Sequence, residues 1–232
     1  MKLRETYIAD FISFLFPELC AACGDSLVAN EHLICTSCRI TLPYTNFHLL
    51  PDNIVAQQFW GKIKLEGAFA LFYFAKGGKV QNLMHRFKYK GQKEIGNLLG
   101  EIAGAQLIKN DIYKNVDHII PVPLHKKRLS HRGYNQSTCF AEGLAKQLNA
   151  AVIEHNLIRP AATETQTRKS RFDRYQNMKE VFYVSNPETL QNKHVLLVDD
   201  VITTGSTLEA CGSQLLRIEG LKLSIATIAY AE

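Results

Sequence analysis

The stretch with the densest chemistry is Asp199-Asp200-Val201-Ile202-Thr203-Thr204-Gly205-Ser206-Thr207, two adjacent acids followed by a run of hydroxyls. It comes directly after Val195-Leu196-Leu197-Val198, a continuous apolar run of the kind that forms a parallel strand buried on both faces. Open α/β sheets bind ligands at the C-terminal ends of such strands. The loop's glycine lets backbone approach a ligand, and its hydroxyls can donate hydrogen bonds. The loop also opens onto a helix, whose free N–H groups and dipole favour a phosphate. Carboxylates repel phosphate oxygens, so the acids must face something else. A phosphorylated, polyhydroxylated ring resolves the conflict, with the acids accepting from its hydroxyls and Mg²⁺ nearby. Ribose 5-phosphate has that shape. The competing reading gives the acids to a turn and Ser206 to a helix cap, yet one cap does not require two acids and a full hydroxyl loop.

Four of the six cysteines make a second constellation, Cys20-x2-Cys23 and Cys35-x2-Cys38. Two C-x-x-C knuckles separated by a short loop match a tetrahedral zinc site, and Gly24 supplies the freedom of a tight turn. Two disulfides or a redox dithiol are the other readings of the same spacing. With four sulfurs filling the coordination sphere, zinc here would be structural. Cys139 and Cys211 lie singly in helix-like stretches and read as small buried hydrophobes.

The cations form a third group. Residues 121–180 hold eleven Lys and Arg against five acids, an excess of six in a chain whose whole surplus is five. That excess sits where a pyrophosphate or a nucleic-acid backbone would have to be held. Arg128 and Arg132 stand out, because they follow the strand-end loop Pro121-Val122-Pro123 one helical turn apart. Residues 159–179 are long, polar and charge-dense, which suits a mobile basic lid.

The elements that must position these groups are legible in outline. Ile8, Phe11, Ile12 and Leu15 give an amphipathic N-terminal helix, and the ribbon closes near residue 45. Residues 46–65 read as an irregular connection, so the division is a ribbon unit over 1–45 and an α/β unit over 46–232. Residues 68–74 read as a buried strand, followed by helical stripes at Val80, Leu83, Met84, Phe87 and at Ile95, Leu98, Leu99, Ile102. A short strand over 119–123, a helix over about 135–148 and the strand over 195–198 come next. A helix striped by Leu208, Cys211, Leu215 and Ile218, with Gly220 as its C-terminal cap, leads to a closing strand over 223–230. Alternating strands and helices predict a mostly parallel sheet with helices on both faces.

Composition narrows the class. With 46% apolar and 21% charged residues the chain is globular rather than disordered. Asp10 and Glu66 interrupt the best apolar runs, so no membrane span is expected. Glu5 and Asp10 also break the signal-peptide shape of the N-terminus, and the cysteine usage agrees with a cytoplasmic address.

The segment from Val195 to Thr207 resembles the 5-phosphoribosyl pyrophosphate (PRPP) signature of type I phosphoribosyltransferases. By that resemblance Asp199 and Asp200 contact the ribose hydroxyls, and Thr203, Thr204, Gly205, Ser206 and Thr207 hold the 5′-phosphate. Pro121-Val122-Pro123-Leu124-His125, Arg128, Arg132-Gly133-Tyr134-Asn135-Gln136, Arg159, Thr163, Gln166, Arg174 and Asn177, preceded by a cysteine-rich ribbon, are similar to the ComF family of competence-associated proteins. Tyr134 stands where Phe is common there, and Lys169 where Leu often follows the Gln. The resemblance implies an Mg²⁺-dependent transfer onto an unknown acceptor, with Arg128 and Arg132 stabilising the leaving pyrophosphate. It equally implies a non-catalytic PRPP or nucleotide sensor that binds single-stranded DNA or a competence helicase. The ribbon carries Asp25 and Glu31 and few aromatic residues, which suits docking or folding better than DNA reading. The acceptor pocket is expected in a variable hood over residues 46–75, where no base-reading constellation stands out.

Overall fold

Each apolar run that leads into one of these polar loops becomes a strand of a single parallel sheet. The computed structural model describes residues 17–160 and 182–231. The amphipathic helix expected near the N-terminus, and nearly all of the basic segment 159–179 with Thr163, Gln166, Arg174 and Asn177, lie outside those residues. In chain order the elements are α1 (Thr36–Thr41), a 3-10 turn (Phe47–Leu49), α2 (Ile54–Gln57), β1 (Gly67–Tyr73), α3 (Lys79–Tyr89), α4 (Glu94–Leu107) and α5 (Asp111–Lys114). They continue with β2 (His118–Pro121), α6 (Lys126–Arg132), α7 (Gln136–Leu148), β3 (Ala151–Val152), β4 (Leu157–Ile158) and β5 (Tyr183–Val184). A second 3-10 turn (Pro187–Leu190), β6 (His194–Ile202), α8 (Ser206–Leu215) and β7 (Lys222–Tyr230) complete them.

The sheet runs β1-β7-β6-β2-β3 with every neighbouring pair parallel, while β4 and β5 make a separate antiparallel pair. The first five residues of β6 and the last eight of β7 are buried one after another, so helices cover both faces. β6 outruns the apolar stretch expected for it. Asp199, Val201 and Ile202 stay in register with Thr227, Ala229 and Tyr230 of β7. On its other flank β2 ends with Pro121 opposite Val198. From Asp199 onward β6 therefore has a neighbour on one side only, and a crevice opens on the other.

Two expectations need correction, and one strand pair goes beyond them. Residues 46–65 are not wholly irregular, because Asn53 caps α2 and its side-chain amide also donates to the Ala68 carbonyl at 2.8 Å. That buried amide ties the connection to β1, and β1 is an edge strand of the main sheet rather than part of a hood. Gly220 does not cap α8. The helix ends at Leu215, and Gly220 takes a left-handed backbone (φ +70) in the turn before β7. The β4–β5 pair was not expected at all, since its strands are two residues each and lack a readable period.

The tightest helix contact is also absent from an apolar-stripe reading. α4 carries Gly96, Gly100 and Gly104 on one face, and α7 brings Cys139, Gly143 and Gln147 against them in turn. A Cβ on Gly100 would lie 2.8 Å from the Gly143 Cα, and the reverse holds equally. Backbone meets backbone there. Among the described residues no helix is long and apolar enough to cross a membrane.

Candidate functional site

The end of β6 delivers Asp199 and Asp200 into the crevice beyond β2. Asp199 Oδ1 accepts from the Ser137 hydroxyl of α7 at 3.0 Å and from the Asp200 amide at 2.8 Å. Burial, reinforced by the neighbouring Asp200 charge, pushes the Asp199 carboxyl up to about 7. Asp200 Oδ2 takes a salt bridge from Lys88 at 2.8 Å, with Arg132 Nη1 4.0 Å away. These three side chains are mostly shielded from solvent, so the cluster is a partly buried ion network rather than a surface pair.

α6 and the turn after it supply the cations, and local sequence explains their aim. His125 caps α6 by accepting from the Lys127 amide at 3.2 Å, and Gly133 ends the helix in a left-handed conformation (φ +76). Asn135 then caps α7 and ties back to the Val122 carbonyl at 3.0 Å, fixing the loop between β2 and α7. Arg128 and Arg132, one turn apart, both line a cavity of about 190 Å³ with Asp199, Asp200 and Arg159. Arg132 is held by a 2.7 Å hydrogen bond to Gln136 Oε1, and it stacks 5.5 Å over the Tyr89 ring. Gln136 is itself buried beside the cavity, and its amide nitrogen has no partner among the described residues. A buried donor of this kind favours an acceptor in the cavity.

The hydroxyl loop lies on the α8 side of the acids. Thr203, Thr204, Gly205, Ser206 and Thr207 line a small concavity of about 50 Å³ together with Asp199. Gly205 is the N-cap of α8 with φ +72, and no side chain caps the helix. The capping role considered for Ser206 is thus not the one it plays. Its hydroxyl pairs instead with that of Thr204 at 2.9 Å. The Ser206 amide makes only a long 3.5 Å contact to the Thr204 hydroxyl, and first-turn amides, paired hydroxyls and a helix dipole converge on one point, which is an arrangement for an anion.

Three contributors were not legible beforehand. Lys88 sits in the charge run Arg86-Phe87-Lys88-Tyr89-Lys90, where nothing marks it off from its neighbours until α3 places it on Asp200. Ser137 reads as an ordinary residue of a helical first turn. Gln58 donates to the Thr203 carbonyl at 2.9 Å, and the Phe59 ring packs against Gly205, so the connection before β1 braces the loop from outside.

The four ribbon cysteines come together as expected, their sulfurs all within 4.8 Å of one another and Cys23 to Cys35 at 3.8 Å. Four thiolates about 2.3 Å from a central zinc stand roughly 3.8 Å apart, so the donor set fits that ion. None of the six cysteines is disulfide-bonded. Burial alone would raise the Cys20 thiol, but the amides of Cys23, Cys35 and Ala22 outweigh it and pull the group down to about 6. The Cys35 amide reaches Cys20 Sγ at 3.3 Å and the Cys38 amide reaches Cys35 Sγ at 3.4 Å, so the fold already supplies donors to thiolate. The remaining cysteines, Cys139 and Cys211, are buried within the α/β unit.

Residues 135–232 match the phosphoribosyl transferase domain family. Along nearly its whole length the chain is similar to competence protein F of Haemophilus influenzae, 31% identical over 209 residues that cover 88% of this chain and 86% of that one. It is 27% identical to the DNA utilization protein YhgH of Escherichia coli strain K12, over 86% of this chain and 84% of the relative. Among solved structures, the adenine phosphoribosyltransferase of Leishmania tarentolae aligns over 77% of this chain and 88% of that one, at 12% identity and a TM-score of 0.39.

Proposed function

Because the chain belongs to the ComF family of competence proteins, we propose that it binds PRPP at the end of β6 and transfers its phosphoribosyl group to an acceptor. The observation that carries this reading is the convergence of three unlike groups on one crevice. The acid pair, the uncapped hydroxyl loop and the Arg128–Arg132 cavity share Asp199. Each suits a different part of one molecule: diol, 5′-phosphate and pyrophosphate.

Asp199 and Asp200 accept from the ribose hydroxyls, and Thr203 to Thr207 with the first amides of α8 seat the 5′-phosphate. Arg128 and Arg132 face the pyrophosphate. As the C1′–O bond to pyrophosphate breaks and a bond from the acceptor forms, negative charge grows on the leaving group beside these fixed cations. Preorganised charge of that kind is the electrostatic mode of catalysis. Binding in a narrow crevice also orients the sugar and limits attack by water. The acid pair fits Mg²⁺ by donor type, as hard carboxylate oxygens, and burial followed by the Asp200 charge already pushes Asp199 up to about 7. When bound there, the ion would neutralise part of the pyrophosphate charge. The ribbon, residues 1–45, would hold zinc as a structural element of a cytoplasmic protein, and residues 46–232 would form the transferase unit.

Calorimetric titration with PRPP and Mg²⁺ tests the binding step. Replacing both acids, Asp199→Asn with Asp200→Asn, should abolish the heat of binding, and unchanged affinity would remove the ribose assignment. Pyrophosphate release with pooled nucleobases tests turnover. Binding with no release would favour the second reading, a PRPP sensor acting with single-stranded DNA or a helicase. That reading is supported by the DNA utilization names of the relatives and by the basic excess over 121–180.

A further inference from the structure

Asp200 has one close counter-ion among the described residues, and it lies outside the set assigned to diol, phosphate and pyrophosphate. Lys88 Nζ stands 2.8 Å from Asp200 Oδ2, the distance of a charge-assisted hydrogen bond. Arg132 Nη1 stays 4.0 Å away, turned to Gln136 and stacked on Tyr89. The end of α3 fixes the lysine. Phe87, the residue before it, is fully buried, its ring packs 5.9 Å from that of Tyr134, and its carbonyl accepts from the Tyr134 hydroxyl. From that anchor Lys88 reaches the wall between the arginine cavity and a second cleft of about 450 Å³ under α3, and both hollows are lined by Lys88 and Asp200.

The crevice so built is a poor place for a bare divalent cation. Four cations, Lys88, Arg128, Arg132 and Arg159, line the arginine cavity against two acids. The buried Gln136 amide beside it adds a donor without a partner among the described residues. A hard cation needs several oxygen ligands, and two of the four carboxylate oxygens are already occupied. Asp199 Oδ1 accepts from Ser137 and from the Asp200 amide, and Asp200 Oδ2 holds Lys88. Like-charge repulsion and filled oxygens both act against the ion, whereas a polyanion meets four cations. Of those four, only Lys88 lies within hydrogen-bond distance of an acid among the described residues, so it both offsets the Asp200 charge and covers one of its oxygens.

We infer that Lys88 is a positioning residue that gives the acid pair its selectivity: it aims Asp200 at ligand hydroxyls and closes the empty crevice to a free divalent cation. The inference rests on the PRPP reading above. The two tasks respond with opposite signs when the ammonium is removed. Asp200 then loses its hold and serves the ribose hydroxyls less well. The same change leaves a partly buried carboxylate uncompensated beside a second one, and a divalent ion is what such a pair attracts. A salt bridge that merely stabilised the fold would move both affinities down together or neither.

Mn²⁺ alone is the probe, because the paramagnetic resonance signal of the free ion reads binding directly and a hard ion competes poorly for the ribbon's thiolates. Lys88→Met should tighten Mn²⁺ binding at least about tenfold over the native chain, and Lys88→Arg, which keeps the charge, should not. Adding Asp200→Asn to Lys88→Met should abolish the gain. Calorimetric titration with PRPP in saturating Mg²⁺ should show the opposite sign, a several-fold weaker affinity in Lys88→Met. Lys88→Gln provides the same comparisons if the methionine variant does not fold. Mn²⁺ affinity unchanged by both variants, or a gain that survives Asp200→Asn, overturns the inference. PRPP affinity that rises in Lys88→Met would make the lysine a block rather than a support and overturns its positioning role. Absence of PRPP binding in the native chain would fell the functional reading instead, and the Mn²⁺ comparison would still decide whether Lys88 excludes the cation.

Discussion

Asp199 carries an electrostatic cost that a ligand would relieve, and the sign of its effect is fixed by its surroundings. Burial first, then the charge of Asp200, lifts its carboxyl from 3.8 to about 7 in the folded chain. Between roughly pH 4 and 7 the folded state holds a proton that the unfolded state has released, so stability falls as pH rises through that window and levels above it. Asp199→Asn should remove this slope. Melting temperatures of the two proteins measured from pH 5 to 8 should converge as pH rises or cross in the variant's favour, and parallel curves would refute the assignment. PRPP affinity should move the other way, tightening from pH 6 to 8 as the carboxylate becomes free to accept from hydroxyls. The acids and hydroxyl loop were legible because their types are improbable together after an apolar strand. Lys88 and Ser137 were not, because their roles come from the approach of α3 and α7 to β6, which no local spacing encodes.

At the scale of elements, legibility followed burial pattern. β1, β6 and β7 are long apolar runs and were readable to within a few residues, whereas β3, β4 and β5 are two residues each and left no period to read. The most informative miss is the glycine face of α4. An apolar-stripe search credits Ile95, Leu99 and Ile102 and passes over Gly96, Gly100 and Gly104, yet those glycines set how closely α4 approaches α7. α7 in turn carries Ser137 and Gln136 to the crevice, so the contact positions the site as well as the core. Gly143→Ala would force a methyl against the Asn97 carbonyl and the Gly100 Cα. We expect a loss of about 1–3 kcal/mol in urea unfolding, the usual range for overpacking. A loss of PRPP affinity should accompany it even where the variant remains folded. A variant as stable as the native chain would mean that the two helices can separate without consequence.

Taken as a whole, the molecule joins its two candidate ligand sites through one helix. Near its start α3 meets the ribbon side of the chain: Asn82 donates to the Ala22 carbonyl, between two of the zinc-type cysteines, at 2.9 Å, and Lys79 reaches the Thr41 hydroxyl at 3.1 Å. Near its end α3 presents Lys88 to Asp200. The Tyr44–Phe72 bridge fastens the same region to β1. If zinc orders the knuckles, its free energy of binding is also folding free energy for the surface on which α3 rests. Chelation should therefore do more than unfold a remote module. We expect metal analysis of freshly reduced protein to find one zinc per chain, and Cys38→Ser to lower it. Metal-stripped protein that retains its sheet by circular dichroism should bind PRPP several-fold more weakly, because Lys88 no longer holds Asp200 in place. Equal affinity with and without zinc would separate the two sites energetically and leave the ribbon a docking element alone.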